Sequence, residues 1–343
     1  MRNSAINRIL ILIVVSLSFS ANATDIPLYL QGKSGAALAS AIYENCRPQH
    51  YVDGLYGNDG AWAAFRTTDA DNNGKVIDRY STKRRDFAAD GVSPTPEMTT
   101  DCIVNREWWK VDGSRAQGVE LDLYNLIPCD AAVPLNKKNY PPGIVTKPSY
   151  QNGTWKSGIG TISDVEVNFY EPADEYKGDF ARAIMYVALV YPCSLWANLG
   201  ENFFDDNTFP TLNAYSRRLL LEWHAADPVS DLEQIRNNAV EAIQGNRNPF
   251  VDYPEIVDHI WGDKADESFE IPDEPHPLKA SYSITEKSID LVSPYVPEGA
   301  VWTIDGKTVE GKSVKPADLG IGTHELRFTS PLKRGKLKIR VTE

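Results

Sequence analysis

The chain has 343 residues, with 47 acidic side chains against 35 basic ones, 42% hydrophobic residues and four cysteines. At roughly 100 to 200 residues per domain, that length allows two domains, each large enough to bury its own core. The net charge of −12 excludes a chain-wide basic surface that captures polyanions without selection, so the overall acidity disfavours nucleic acid as a partner unless a local basic groove supplies the contact.

In chain order, Arg2 and Arg8 flank the start of an apolar run over 9–19, and Ala21-Asn22-Ala23 supplies small residues in a cleavage pattern. Residues 1–23 therefore read as an export signal peptide. The run is shorter than the roughly 20 residues that cross a bilayer, and no later segment is long and apolar enough, so the reading has no membrane span. The expected destination is periplasmic, surface or secreted. Without the leader, 33 basic residues face 47 acids, a net charge of −14. Export permits up to two disulfides among Cys46, Cys102, Cys129 and Cys193, in any of three pairings. None of the four lies in a CxxC pair, which argues against a zinc site. The oligomeric state is not legible.

Gly32-Lys33-Ser34 resembles the end of a phosphate loop, but Pro27 stands where that loop needs its first glycine. A helix over 36–43 is the better reading. Asp69-Ala70-Asp71-Asn72-Asn73-Gly74 imitates the start of a calcium loop, yet the twelfth position is Tyr80 rather than a bidentate glutamate. The Asn-Asn-Gly sequence favours a tight hairpin turn. Helical spacing of apolar residues predicts helices over 174–191, stopped by Pro192, over 212–224 and over 230–244. The last is opened by Ser230 with Glu233 three residues on, a capping box. Acids and prolines crowd 267–277, which reads as a linker. After it, alternating segments over 279–284, 288–292, 300–304, 324–329 and 336–341 predict a small antiparallel, immunoglobulin-like β-sandwich over 278–343. The larger part, 24–266, mixes helices with short strands, an α+β fold.

Several blocks stand in an order that points to one family. Trp62-Ala63-Ala64-Phe65-Arg66-Thr67-Thr68-Asp69 and Gly74-Lys75-Val76 come first. Asn105-Arg106-Glu107, Asp122-Leu123-Tyr124-Asn125-Leu126 and Asn139-Tyr140-Pro141 follow. Glu171-Pro172-Ala173-Asp174 with Gly178-Asp179-Phe180-Ala181-Arg182, and Gly245-Asn246-Arg247-Asn248-Pro249-Phe250, complete the set. Over about 30–262 the chain resembles the bacterial endonuclease I family. The resemblance implies a ββα-metal, or His-Me finger, core that cuts DNA and RNA with little sequence preference. A histidine after the glutamate of an Asn-Arg-Glu-His stretch would act as base. That glutamate and an asparagine on the next helix would hold magnesium.

Carried over residue by residue, Glu107 keeps the carboxylate, but Trp108 replaces the base histidine, Tyr124 replaces a second histidine and Pro134 replaces the metal-binding asparagine. The stretch between Glu107 and Asp122 is also shorter than the family's. An indole accepts no proton at neutral pH, and proline has no side-chain oxygen. His50, His224, His259, His276 and His324 each read as structural or solvated, with His224 the nearest to a substitute base. Arg106, Lys177, Arg182, Arg236 and Arg247 are candidate phosphate contacts, although Asp179 and Glu233 lie close enough in sequence to pair with some of them. Two readings follow. One is an exported magnesium-dependent nuclease with weak or lost activity; the other is an inactive binding protein for nucleic acid, glycan or protein on a nuclease scaffold.

Overall fold

The computed structural model describes residues 28–109, 118–192, 196–271, 281–291, 300–329 and 334–343. The leader, Cys193, His276 and residues 272–277 of the stretch read as a linker lie outside the described residues. The chain divides into a larger unit over Tyr29–Ile271 and a smaller one built from Pro272 onward.

In the larger unit, α1 (Gly35–Asn45) follows Ser34, and α2 (Ala61–Thr68) ends at Asp69. A tight turn then leads into the short pair β1 (Lys75–Val76) and β2 (Arg85–Asp86). The turn is held by the Asp71 carboxylate, which accepts from the backbone of Asn73 and Lys75 at 2.8 and 2.9 Å, and Gly74 takes φ +70°. The calcium-loop pattern is thus a hairpin turn. Its first acid, Asp69, is fully buried and bonded to arginine.

Next come β3 (Met98–Cys102), β4 (Leu126–Asp130) and α3 (Val133–Lys137), the two strands pairing antiparallel with Cys102 opposite Leu126. A three-stranded meander follows: β5 (Lys147–Gln151), β6 (Lys156–Ile162) and β7 (Val165–Glu171). Then α4 (Lys177–Val190), preceded by a 3-10 turn over Asp174–Tyr176, forms the core, with every residue but Lys177 and Asp179 buried. It packs against α1, α5 (Ala214–Ala226) and α7 (Pro249–Asp252). Gly178 has no side chain because a Cβ there would lie 2.0 Å from the Asp227 carbonyl oxygen. The helix α6 (Asp231–Gln244) opens with the Ser230/Glu233 capping box and closes on Gly245 at φ +75°, and α8 (Ile256–Ile260) completes the helical half. Helix and sheet together make the unit α+β. No helix among the described residues is long and apolar enough to cross a membrane.

Three buried arginines tie these elements together. The Asp69 carboxylate accepts from Arg79 at 2.6 Å and from Arg236 of α6 at 3.1 Å. Burial alone would raise the Asp69 carboxyl, but Arg236 and Arg79 outweigh it and hold the group below the usual carboxylate range. Arg182 of α4 forks onto Glu233 of α6 with bonds of 2.7 and 2.6 Å. Asp179 lies between Arg79 at 3.3 Å and Arg182 at 3.8 Å. Burial and the neighbouring Glu233 raise its carboxyl well above the ordinary value.

Phe269 and Ile271, inside the stretch read as a linker, are buried and bonded to the N-terminal chain: Phe269 pairs with Lys33, and Ile271 takes the Gln31 side-chain oxygen. Cys46, Cys102 and Cys129 are free thiols, so the allowance of two disulfides is not realised. The strand register explains part of this, setting Cys129 opposite Thr99 and Cys102 opposite Leu126. The Cys46 thiol, pushed up to about 12 by burial, lies 3.2 Å from the Tyr29 hydroxyl.

The smaller unit is sheet-rich. It contains β8 (Ser281–Ser283), β9 (Ile289–Asp290), β10 (Val301–Ile304), β11 (Lys307–Val309), β12 (Ser313–Val314), the single turn α9 (Pro316–Leu319), β13 (Gly322–Thr329) and β14 (Arg334–Thr342). Five strands join in the order β11-β10-β13-β14-β8, and β9 pairs with β12. The wholly antiparallel expectation fails at one edge, because β8 runs parallel to β14 with Tyr282 opposite Val341. Alternation reveals which face is buried and says nothing about strand direction. Tyr282, Trp302, Leu326, Phe328 and Ile339 are in the core of this unit.

His324 is held at both ring nitrogens, Nδ1 2.7 Å from an Asp305 carboxylate oxygen and Nε2 3.0 Å from the Gly320 carbonyl oxygen. Two acceptors select the imidazolium, and the Asp305 bond raises its pKa above the ordinary histidine value. A raised folded-state value stabilises fully below the unfolded pKa and is lost as pH rises through the folded one. Hydrogen-exchange protection across 322–329 should therefore weaken as pH rises above about 6.5, after correction for the intrinsic exchange rate. In His324→Gln the corrected protection should not follow pH in that window.

Candidate functional site

The order β3, β4, α3 is strand, strand, helix, and the side chain of Asn125 fixes how the chain leaves β3. Its oxygen accepts from the Val104 amide at 2.7 Å, and its amide donates to the carbonyls of Val104 and Val119. Asn105 then caps a 3-10 turn over Arg106–Trp108 by accepting from the Glu107 amide at 2.9 Å. Successive residues of so tight a turn face different ways. The Glu107 side chain is 56% exposed, with Arg106 at 3.2 Å and itself 64% exposed, whereas Trp108 points inward with no exposed surface.

The indole of Trp108 is fixed on every side. Its N–H donates to the Asn139 carbonyl oxygen at 2.8 Å, and its rings lie 6.4 and 6.1 Å from those of Phe203 and Phe204. Gly200 sits so close that a Cβ would come within 2.7 Å of the Trp108 Cβ. Trp109 extends the cluster onto Trp196, which stacks on Phe204 at 3.9 Å. Trp108 is thus a core residue with its indole N–H engaged. Residues 110–117, in the shortened stretch that follows, lie outside the described residues.

On α3 the inward positions are Val133 and Lys137, one helical turn apart. Lys137 is buried, donating to Asp101 at 2.7 Å and to the Cys102 carbonyl at 3.0 Å, with its ammonium 4.6 Å from the Tyr170 ring centroid. The outward positions are Pro134 and Leu135. Pro134 offers no oxygen donor except its backbone carbonyl, and that accepts from Lys138. The donor set therefore does not fit a magnesium ion held by a carboxylate and a helix amide. Among the described residues, no three His, Cys, Asp or Glu side chains converge into an alternative site.

Tyr124 is buried in the seam between α4 and α6. Its hydroxyl donates to the Asn237 side-chain oxygen, and its ring lies 4.8 Å from that of Tyr186. Its neighbour Asp122 receives Tyr186, Tyr191 and Gln244 at 2.9, 2.7 and 3.0 Å. Burial raises the Asp122 carboxyl despite those donors.

All five basic residues expected to meet phosphate lie against carboxylates, Arg106 against Glu107 and the other four against partners that leave them little exposed. Lys177 bonds Glu171 and Asp174 at 2.9 and 2.6 Å. Arg182 and Arg236 belong to the buried cluster, and Arg247 bonds Asp252 and Glu241 at 2.6 and 2.7 Å. Arg106 alone of the five keeps an exposed head. The sequence reading missed Lys138, which is exposed, bonds the Tyr140 hydroxyl at 3.0 Å and adjoins the Asn139 carbonyl that receives Trp108. Its signal was the Lys-Asn-Tyr run directly after α3.

The imidazoles of the larger unit are accounted for by other contacts. His224 has Nδ1 3.3 Å from Arg182 and Nε2 3.0 Å from the Pro254 carbonyl oxygen. Burial, and then Arg182, lower its pKa, which fits a neutral ring donating from Nε2. His259 lies 2.7 Å from the Glu267 carbonyl oxygen, and exposed His50 is anchored through its backbone to Gln244.

The α+β unit and the chain segment it covers define a nuclease-class protein: the family model described as Endonuclease I matches residues 34–255. The chain is similar to an extracellular ribonuclease of Bacillus amyloliquefaciens, 31% identical over 241 residues that cover 67% of this chain and 75% of that protein. It is also similar to an extracellular ribonuclease of Bacillus subtilis (strain 168), 28% identical over 245 residues that cover 67% and 76%. The chain belongs to the endonuclease I family, whose nucleases are generally dependent on a divalent metal.

Because the indole N–H is engaged in a buried bond, Trp108→Phe should cost about 1–3 kcal/mol by leaving the Asn139 carbonyl unsatisfied. Denaturant unfolding checks this, and a midpoint equal to that of the parent would contradict the assignment.

Proposed function

We propose that this protein is an exported nuclease of the endonuclease I family in which the Glu107 centre has lost its general base, leaving a weak phosphodiester hydrolase that still engages nucleic acid. The observation that carries the proposal is the burial of Trp108, with its N–H committed to Asn139. A positioned base is worth about a hundred- to ten-thousandfold in rate, and Pro134 removes a metal ligand besides. On this reading β3, β4 and α3 are the family's ββα-metal core, and Glu107 is its retained carboxylate. Arg106 and Lys138 are the cations left to meet phosphate, while Lys177, Arg182, Arg236 and Arg247 hold the fold. Residues 1–23 act as the export signal, in keeping with extracellular relatives, and the sheet-rich unit after the boundary is an immunoglobulin-like module.

A second reading, an extracellular ribonuclease of full rate that uses another proton acceptor, is favoured by the names of the two relatives. Plasmid nicking and RNA hydrolysis with and without magnesium separate the two. The proposal predicts slow, metal-dependent cutting that Glu107→Ala abolishes and that Trp108→His with Pro134→Asn raises at least about tenfold. Thermal melting shows whether the double variant folds. Turnover by the parent at about 1–10³ per second, the range of ordinary enzymes, would overturn it whatever the double variant does.

A further inference from the structure

Charge is divided unevenly along the chain. Residues 29–271 hold 22 basic and 36 acidic side chains, a net −14, whereas residues 278–343 hold 11 basic and 8 acidic, a net +3. The smaller unit's five-stranded sheet buries one face on its own core and leaves the other open. On the open face Arg327 of β13 and Lys338 and Arg340 of β14 are all exposed. The register sets Thr303 opposite Arg327, Glu325 opposite Lys338 and Thr323 opposite Arg340. Lys338 and Arg340 are two residues apart on one strand, which spaces them about 7 Å along it, with Arg327 on the neighbouring strand. The same register brings Lys336 opposite Arg327 and Arg334 opposite Thr329.

Threonines stand among the cations, and strand alternation sends Trp302, Phe328 and Tyr282 to the other face, into the core. The same face carries Glu325, 2.8 Å from Arg327; beside that carboxylate it offers, among the described residues, exposed cations and hydroxyls but no aromatic ring on which a base could stack. Cations with hydroxyls read the sugar-phosphate backbone; stacking platforms read single-stranded bases.

We infer that the open face of this sheet binds nucleic-acid phosphates, giving the chain the electrostatic hold that its acidic larger unit lacks. The inference rests on the nuclease-class reading above. It specifies backbone recognition that is indifferent to sequence and does not need unpaired bases. Covalent linkage keeps the bound polymer at a high local concentration for the rest of the chain.

The test is fluorescence anisotropy of the full-length protein with a labelled DNA duplex and a labelled single strand, in EDTA to block hydrolysis, at 50 to 200 mM salt. The comparison is with the triple variant Arg327→Glu, Lys338→Glu, Arg340→Glu and with its glutamine counterpart, each checked by thermal melting. Loss of three phosphate contacts should weaken duplex binding at least about tenfold at the lowest salt and lower the salt slope by about 2 to 3. The glutamine variant should fall between the parent and the charge reversal. Equal binding by the parent and both variants would overturn the inference. So would capture of a sulfated polysaccharide with nucleic acid left free. Hydrolysis is read out separately through Glu107→Ala, so a failure of this surface leaves the Glu107 reading standing, and the reverse holds too.

Discussion

The larger unit depends on a buried exchange of charge: Asp69 between Arg79 and Arg236, and Arg182 forked onto Glu233. Ions this deep cost several kcal/mol each to desolvate, and only close partners offset that cost. Here the partners come from the end of α2, the loop between β1 and β2, α4 and α6, so satisfying the charges fixes the packing of those elements. Removing one partner would strand a buried charge, whereas exposed ion pairs elsewhere on the surface contribute little. The family's sequence blocks around Asp69, Asp179-Phe180-Ala181-Arg182 and Arg247 belong largely to this scaffold.

That division leaves the scaffold independent of the residue that follows Glu107. Asp122, Asn125, Arg182 and Arg236 all have partners inside the unit, and none of these partners is Trp108 or Pro134. The turn carrying Glu107 needs only the Asn105 cap and the Asn125 clamp. The residue after the carboxylate is therefore unconstrained by the buried ions. Here that residue, Trp108, belongs to a buried aromatic cluster with Phe203 and Phe204.

Much of this was legible in the sequence, for physical reasons that differ by element. The Ser230/Glu233 box announced α6 because both halves of a reciprocal bond are local. The Asp71-to-Gly74 turn was readable for the same reason. The apolar spacing of α4 showed a buried helix but not what it faces, so Arg182 looked like a phosphate ligand when its partner lay 51 residues away on another helix. Lys177 and Arg247 differ, because their carboxylate partners Glu171, Asp174, Glu241 and Asp252 are near in sequence but are not singled out by spacing alone. The parallel edge of the small sheet and the tie of Phe269 to Lys33 are long-range pairings that composition cannot reveal, and the acids and prolines around them suggested a linker. Lys138 was missed because it lies outside the family blocks.

The central claim, that no positioned base serves the Glu107 centre, is tested most directly by the pH profile of residual metal-dependent hydrolysis. Without a titrating base, the logarithm of the rate should climb steadily between about pH 5.5 and 8.5 as hydroxide supplies the nucleophile. A plateau reached through an inflection near about 6.5, the ordinary histidine value, would show that an imidazole still works there and would contradict the account.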